Sequence, residues 1–414
     1  MQNKTFKKTV MACITIYSMA ASTAWGAPFY FGAGIHAGQN KISAQETTAL
    51  MDQAGINSFR DEVFWHRLEV KKGVLKFPDS LADLDKLTTT TNDAGKAPML
   101  ILDYGNKFYD LGDIPTSSTA IDGFTRYAKF VAAHFKDRSK LYEVWNEWNI
   151  GMGSNQKPRT IKSVKEYINI LRPTITAVKD IDPSAKVIAG SVNQTDDKWI
   201  NDFLAQGGLK GVDGFSVHPY VFTHVQENRP EDISGWLTDL SKRLNAANQG
   251  RPMDIYVTEV GWPNQEGATG WSERQAANFL LRLYILSKAQ PNIRGLWWYE
   301  LRDSGDNNND REHNFGMASK RRGAKLALNA MATAVSILSK STDIKISQPI
   351  KGVYRAAIAS PGQQCTAYWT REGSFAYNIP QADLAGDVRW GRLPRTQDDA
   401  NVDETPLITC RRNK

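Results

Sequence analysis

The sequence predicts an α/β protein, a (β/α)₈ TIM barrel followed by a small β-sandwich-like module. First, short β-rich runs alternate with amphipathic stretches from Phe29 onward. Second, those runs are largely apolar throughout, as is typical of parallel strands buried on both faces. Third, the alternation occurs eight times, which is the number of units in this barrel. The 414 residues, of which 41% are hydrophobic, suffice for such a barrel and a small module.

The strands and helices follow one another along the chain. Strands are predicted at 30–35, 56–60, 99–103, 141–145, 186–191, 214–217, 254–258 and 295–299. Helices are predicted near 44–54, 80–94, 120–135, 161–179, 198–206, 232–247, 273–289 and 321–338. Ser43 and Ser272 supply capping residues for two of the helices. A doubly wound open sheet would want a G-x-G-x-x-G turn after its first strand, and Gly32, Gly34 and Gly38 do not follow that order.

The two ends of the chain differ from the barrel in composition and in residue pattern. Residues 1–26 read as a signal peptide, with lysines before an apolar stretch and small residues before Ala27. Residues 27–340 form the predicted barrel and 341–414 the β module, where short alternating segments replace the long pattern. We therefore expect an exported protein, periplasmic or extracellular, without a membrane span.

Charge and cysteine content exclude some functions. Removal of the signal peptide lowers the formal net charge from +7 to about +4, without a long Lys/Arg run, which gives little support to nucleic-acid binding. Cys365 and Cys410 are the cysteines that remain, and an even pair in an oxidising compartment predicts a disulfide; two separate buried thiols are the alternative. No Cys/His cluster has metal-ligand spacing, so we expect no metal and no cofactor. We also expect the protein to be a monomer.

A glutamate stands at the end of the fourth predicted strand. Glu147 lies between Trp145 and Trp148, and an aromatic environment desolvates a carboxyl group and raises its pKa, as a general acid requires. Asn146 beside it can hydrogen-bond a substrate hydroxyl. The structural alternative is a glutamate that caps a helix or forms a salt bridge at the start of a loop.

A second glutamate, Glu259, stands at the end of the seventh strand, with Trp262 close by. Active sites of this barrel lie at the carboxyl ends of the strands. Strands four and seven face one another across the barrel, so their ends can supply the two carboxyl groups that glycoside hydrolysis needs. A structural glutamate at the rim is the alternative for this segment alone, but the pair together indicates a glycosidase.

At these two motifs the sequence resembles a known group. The strings WNEWN and TEVGWP are similar to the clan A retaining glycoside hydrolases. The string EVWNE is similar to the family 39 branch, which includes β-xylosidases, α-iduronidases and exopolysaccharide (biofilm-matrix) endoglycosidases. Two further segments resemble the biofilm-matrix endoglycosidases. One is the loop DYGN, which ends at Asn106, and the other is the string FRD with Trp65 after it. The chain departs from the xylosidase pattern in two places. Val260 and Gly261 separate Glu259 from Trp262, and Trp148 follows Glu147.

The resemblance implies a role for each matching residue. Glu147 would be the acid/base, Glu259 the nucleophile, and Arg60 the cation that keeps Glu259 ionised. The other residues implied to bind or line the substrate are Trp65, Asn106, Asn146, His218, Tyr220, Trp262 and Trp298.

The sequence therefore predicts a secreted, retaining, endo-acting hydrolase that cleaves a polysaccharide by double displacement. Aromatic residues near the strand ends favour a groove for several sugars over a pocket for one. A noncatalytic carbohydrate-binding protein on the same barrel and a transglycosylase are the alternatives. An exopolysaccharide is the expected substrate, while a plant xylan and a host glycan remain open.

Overall fold

A computed structural model describes residues 28–39, 41–267, 270–393 and 401–412. The predicted signal peptide at 1–26 lies outside the described residues. Among the helices of the described ranges, none combines the length and the apolar character needed to cross a bilayer.

The barrel predicted from the sequence is confirmed. Eight parallel strands pair in chain order, and the eighth pairs with the first to close the barrel. The strands are β1 (Tyr30–Gly34), β2 (Ser58–Phe64), β3 (Ala97–Asp103), β4 (Leu141–Val144), β5 (Lys186–Asn193), β6 (Gly214–His218), β7 (Ile255–Val260) and β8 (Ile293–Trp298).

Helices connect the strands and cover the outside of the barrel. They are α1 (Ala44–Ala54), α2 (Trp65–Leu68), α3 (Ala82–Asp93), α4 (Ser118–His134), α5 (Val164–Ile181), α6 (Asp197–Ala205), α7 (Pro230–Ala247), α8 (Glu273–Lys288) and α9 (Leu326–Leu338). The Ser43 side chain accepts from the backbone of Glu46, and Ser272 forms a capping box with Gln275. These contacts satisfy amide groups that a helix start leaves without partners.

The end of the barrel away from the strand C-termini is filled by apolar side chains. Met99, Leu141, Ile188, Tyr256 and Trp297 form a separate buried cluster there. A side chain on Gly32 of β1 would place its Cβ 2.3 Å from the Trp297 ring, so this position of the strand needs a glycine. The filled interior leaves the opposite end of the barrel as the place for a site.

Strand β2 is longer than the sequence predicts. The prediction ends at Arg60, whereas the strand continues to Phe64 and carries Asp61 and Glu62. Consecutive charged residues are uncommon in a buried strand, so the sequence predicts that the strand ends before them. They are accommodated here because Arg60 is ion-paired and Asp61 accepts the Gly38 backbone N–H at 2.8 Å.

A hairpin and a β module follow the barrel. Strands β9 (Ala318–Ser319) and β10 (Gly323–Ala324) precede α9. The module contains β11 (Asp343–Ile350), β12 (Val353–Ser360), β13 (Gln363–Thr370), β14 (Phe375–Ala376), α10 (Gln381–Leu384), β15 (Asp387–Trp390), β16 (Asn401–Val402) and β17 (Leu407–Arg412). Five strands form an antiparallel sheet in the order β11-β12-β13-β17-β15, and β14 pairs with β16.

The module is held to the barrel by hydrogen bonds to a buried ion pair between α7 and α8. Arg282 of α8 donates from Nε to Glu231 Oε1 at 2.9 Å, and its Nη2 donates to the backbone oxygen of Arg371 at 3.1 Å. The indole of Trp369 on β13 donates to the same Glu231 oxygen at 2.7 Å. Since Arg282 is fully buried, this contact fixes the module against α7 and α8.

The predicted bond between Cys365 and Cys410 is present and joins β13 to β17. It closes a segment with a sequence separation of 45 residues, for which chain entropy gives a stabilisation of about 4 kcal/mol. Replacing both cysteines with alanine should lower the free energy of unfolding by up to this amount, measured by denaturant titration. A reducing agent should lower the wild-type stability and leave the double variant unchanged; equal stability of the two proteins would contradict the prediction.

Candidate active site

Glu147 is placed by a sharp turn after β4. Trp145 and Glu147 both have positive φ angles, 70° and 50°, which non-glycine residues seldom adopt. The turn is held by the buried Trp145 ring and by the Glu147 amide, which donates to the backbone oxygen of Ser191 at 3.0 Å. This rigid turn directs the Glu147 carboxyl group into the mouth of the barrel, where it lines the cavity described below.

One oxygen of Glu147 is held by two nitrogen atoms. The side-chain amide of Asn193 donates to Oε1 at 2.7 Å, and His218 Nδ1 lies 3.0 Å from the same atom. The predicted acid/base therefore has one oxygen fixed by the protein. The described contacts leave Oε2 without a protein partner and able to meet a substrate.

Glu259, on β7, is held at both oxygens. Arg60 Nη1 donates to Oε1 at 2.5 Å, and the Tyr220 hydroxyl donates to Oε2 at 2.9 Å. Burial by itself raises the pKa of Glu259, but the charges of His218 and Arg60, helped by these hydrogen bonds, outweigh it and lower the pKa. The predicted nucleophile is thus kept ionised.

Arg60 connects the other polar residues of the site. Its Nε donates to Glu143 Oε2 at 2.6 Å and its Nη2 donates to Asn146 Oδ1 at 2.9 Å. Glu143 is fully buried below the site, where Arg60 is its basic partner. Asn146 is also bound by Tyr104, whose hydroxyl accepts from Nδ2 at 2.9 Å.

The two predicted catalytic carboxyl groups are close together. An oxygen of Glu147, an oxygen of Glu259 and a ring nitrogen of His218 all lie within 4.8 Å of one another. Retaining glycosidases have carboxyl groups about 5–5.5 Å apart, and inverting enzymes about 6.5–9.5 Å. The spacing fits the shorter class.

These carboxyl groups face a cavity of ≈ 580 Å³. Aromatic side chains on its wall are Tyr104, Tyr220, Phe222, Tyr299 and Phe315. Other lining residues reach from the loop after β1, with Gln39 and Lys41, to the loop after β4, with Arg159. The cavity therefore crosses most of the barrel mouth.

The wall next to β1 and β2 carries a further acidic residue. Asp61 is buried, and burial raises its pKa to about 7 against the opposing donors of Gly38 and Glu62. His36 Nε2 lies 2.9 Å from Glu300 Oε2, an ion pair whenever His36 is protonated. The protonation of Asp61 thus changes near neutral pH.

The structure brings six of the ten predicted site residues together: Arg60, Asn146, Glu147, His218, Tyr220 and Glu259. The other four are buried, make none of these contacts and do not line the cavity, so that a substrate contact for them stays a prediction: Trp65, Asn106, Trp262 and Trp298.

Trp65 and Asn106 are structural residues of the loops after β2 and β3. The Trp65 indole donates to Glu69 Oε2 at 2.7 Å and stacks on Tyr109 with ring centroids 4.8 Å apart. The Asn106 side chain donates to the backbone oxygen of Glu69 at 2.9 Å. Both therefore tie the two loops together under the surface.

Trp262 and Trp298 lie close to one another, and Trp262 also lies against α8. Their ring centroids are 6.0 Å apart, and Trp262 also contacts Phe279 of α8 at 5.2 Å. Trp298 donates to the backbone oxygen of Phe315 at 3.3 Å. Trp298, which the resemblance implies binds or lines the substrate, is not part of the wall of the described cavity, whereas its neighbour Tyr299 is.

Sequence reasoning missed three polar residues of the site. Asn193 holds Glu147, Ser191 lies 3.2 Å from His218 Nε2, and Thr258 lies 3.0 Å from the same atom. All three lie near the ends of strands, which is the signal that could have found them. Thr258 directly precedes Glu259 in the chain.

The described residues contain a single group of three metal-ligand side chains, formed by Glu147, His218 and Glu259. Both carboxyl groups already accept hydrogen bonds, and Arg60 lies 2.5 Å from Glu259. A guanidinium group at that distance opposes a metal cation, so the geometry fits acid–base and nucleophilic chemistry better.

Comparison with known families gives one match. The model of the family described as Cellulase (glycosyl hydrolase family 5) matches residues 22–299, which is more than half of the chain and includes all eight barrel strands. No curated protein matches the chain.

Solved structures share the fold. A family 39 glycoside hydrolase from the gut symbiont Bacteroides cellulosilyticus WH2 has a TM-score of 0.74 and 21% identity, over 92% of this chain and 80% of that chain. A monomeric β-xylosidase from Caulobacter crescentus CB15 has a TM-score of 0.61 and 16% identity, over 86% and 76%. GH5_18 from Streptomyces cattleya, in complex with GlcNAc, has a TM-score of 0.57 and 17% identity, over 75% and 80%.

These matches confirm the resemblance to clan A glycoside hydrolases. The family model is that of family 5, whereas family 39 enzymes are among the structural neighbours. At such low identities the neighbours show the fold alone.

Proposed function

We propose that this chain, which belongs to the cellulase family (glycosyl hydrolase family 5) and is a glycoside hydrolase, is an exported, endo-acting enzyme that cleaves a polysaccharide with retention. The observation that carries the proposal is the pair of carboxyl groups, Glu147 and Glu259, with oxygens within 4.8 Å across one cavity. Such a spacing suits a covalent intermediate.

In the first step Glu259 attacks the anomeric carbon. The bond from that carbon to the glycosidic oxygen breaks, and Glu147 gives its proton to the leaving oxygen. Arg60 and Tyr220 hold the nucleophile at its two oxygens and keep it ionised before the attack. The free oxygen of Glu147 is the one placed to deliver the proton.

In the second step Glu147 acts as the base. It takes a proton from water, the water oxygen bonds to the anomeric carbon, and the ester to Glu259 breaks. Asn193 and His218 hold the carboxylate of Glu147 in the same orientation for both steps. Two displacements leave the anomeric configuration unchanged.

The shape of the cavity supports endo action. Its lining residues come from loops on opposite sides of the barrel, including Gln39 after β1 and Gln194 after β5. A chain of sugars can cross such a mouth, whereas an exo-enzyme needs one end closed to seat a chain terminus. The rings of Tyr104, Tyr220 and Tyr299 offer apolar faces along the way.

The substrate that we propose is an exopolysaccharide. The resemblance of the Glu147 motif and of the loop ending at Asn106 to the biofilm-matrix endoglycosidases supports it, as does the signal peptide read at 1–26. Cleavage of a plant xylan or a host glycan would release a different set of oligosaccharides in the same assay.

The export proposal makes its own prediction. When the full-length gene is expressed in a bacterium with a secretory pathway, the mature protein should begin at Ala27, because small residues precede that position. Intact mass and N-terminal sequencing of the periplasmic and culture fractions measure this. A protein that keeps Met1 and stays in the cytoplasm would refute export without bearing on catalysis.

The activity is tested with purified residues 27–414 on a panel of exopolysaccharides, xylans and host glycans. We expect oligosaccharides of several lengths early in the reaction, and ¹H NMR should show the retained anomer first. Release of single sugars from chain ends would refute endo action, and an inverted first product would refute double displacement.

A further inference from the structure

His218 lies between the two glutamates, and its surroundings determine where its ring hydrogens are. Nδ1 is 3.0 Å from Glu147 Oε1 and 3.7 Å from Glu259 Oε2. Nε2 is 3.0 Å from Thr258 Oγ1. The ring is fully buried, so both nitrogen atoms have to be satisfied by protein groups.

Thr258 can offer only a lone pair to this ring. Its hydroxyl donates its single hydrogen to Glu143 Oε1 at 2.7 Å. Glu143 forms an ion pair with Arg60 through its other oxygen, at 2.6 Å, so this carboxylate accepts and does not donate. The Nε2 atom of His218 must therefore carry a hydrogen to meet Thr258.

Two other neighbours of Nε2 bear on this assignment. Ser191 Oγ, at 3.2 Å, donates to Asn146 Oδ1 and so also presents a lone pair. Arg60 Nη2 is a donor, but it lies farther away at 3.4 Å and already donates to Asn146 at 2.9 Å. The two closer contacts outweigh the longer one, which favours the hydrogen on Nε2.

We propose that Thr258 is a positioning residue, which accepts a hydrogen from Nε2 of His218 and so keeps Nδ1 directed at Oε1 of Glu147. This inference rests on the proposed function, because it takes Glu147 as the acid/base. When Glu147 gives its own proton from Oε2 to the leaving oxygen, a ring that carries hydrogen on both nitrogen atoms stabilises the new carboxylate by a charge-assisted hydrogen bond from Nδ1 to Oε1. Water returns a proton to Glu147 in the second step, so the pair ends as it began.

Several titratable groups surround this pair and contribute to any pH dependence. Those facing His218 or Glu147 are Arg60 on β2, Tyr104 after β3, Tyr220 after β6 and Glu259 on β7. Thr258 is uncharged and is the nearest partner of Nε2, so its side chain can be changed without altering any of these charges.

The kinetic test compares Thr258→Val, which has nearly the same shape without the hydroxyl, with Thr258→Ser, which keeps the hydroxyl. The valine variant should lower kcat/KM by about 10- to 100-fold, the range for losing one hydrogen bond to a charged group. The pH profile of its activity should also differ from that of the wild type, because the Nε2 hydrogen has lost its acceptor. The serine variant should recover the wild-type profile.

A second measurement needs no substrate. Proteins labelled with ¹⁵N-histidine give two-bond ¹H–¹⁵N spectra that report which ring nitrogen carries hydrogen, and His218→Asn identifies the His218 signals. We expect Nε2 to carry hydrogen in the wild type and in Thr258→Ser, and to lose it in part of the Thr258→Val molecules.

The outcomes separate this inference from the proposed function. A wild type without hydrogen on Nε2, or a Thr258→Val variant with unchanged spectra, overturns the inference whatever the protein hydrolyses. Changed spectra with an unchanged pH profile overturn the catalytic part of the role. Inactivity of the wild type on every glycan refutes the proposed function, while the spectra still decide the arrangement of the ring.

Discussion

Replacing Glu259 with glutamine is expected to lower kcat by about 10⁴- to 10⁶-fold, as the loss of a nucleophile does in other covalent enzymes. The amide keeps the size of the side chain and can still accept from Arg60 or Tyr220, but it cannot form the glycosyl ester. Replacing Glu147 with glutamine should cost about 10²- to 10⁴-fold, because acid–base assistance alone is lost. Rates of oligosaccharide release from the polysaccharide that the wild type cleaves measure both effects.

Azide distinguishes the two roles. With Glu147→Ala, azide should accelerate the second step and give a glycosyl azide of retained configuration. With Glu259→Gly, azide should attack directly and give the inverted product. If azide gave the inverted product with Glu147→Ala and the retained product with Glu259→Gly, the roles of acid/base and nucleophile would have to be exchanged. Glu266→Gln, an exposed residue in the loop after β7, serves as the matched control and should leave kcat unchanged.

The fold follows from the sequence because of how its strands are buried. Eight runs are apolar throughout because helices cover their outer face and the filled barrel interior covers the other, and this signal survives in β3 and β5 even with boundaries shifted by a few residues. The charged part of β2 gives no such signal. Its stability depends on a partner for Arg60 that comes from a distant part of the chain.

The site is predictable only as far as chain position determines it. Glu147 and Glu259 stand at the ends of strands four and seven, and closure of the barrel brings such ends together. The direction of a side chain is a different matter. Trp297 and Trp298 are neighbours on β8, but they point to opposite faces, into the apolar barrel interior and towards Trp262. A shift of one residue decides which aromatic group reaches the substrate.

Replacing Arg60 with leucine is expected to have the second large effect, on stability as well as on activity. Arg60 is buried and pairs with both Glu143 and Glu259. Removing it leaves two buried carboxylates without their cation, which typically destabilises a protein by about 3–5 kcal/mol. Denaturant titration measures this loss. Arg60→Lys retains the charge but not the three-way fork, so it should recover part of the stability and little of the activity.

The pH dependence of this variant has a defined sign. Burial raises the pKa of Glu259, while His218 and Arg60 lower it below its ordinary value of 4.5. A carboxylate with a lowered pKa adds stability above that ordinary value, and this contribution is lost as the pH falls through the lowered pKa. Without Arg60 the pKa should rise, so the acid limb of activity moves to higher pH and stability near neutral pH falls.

The control for this shift is Tyr220→Phe, which removes one hydrogen bond to Glu259 and no charge. It should move the acid limb in the same direction as Arg60→Leu, but by less, because a neutral donor stabilises a carboxylate less than a guanidinium group does. An acid limb that stays in place in Arg60→Leu would mean that His218 and Tyr220 suffice to keep Glu259 ionised. In that case Arg60 would act only by orienting Glu259 and Asn146, and its loss should then appear in kcat at every pH.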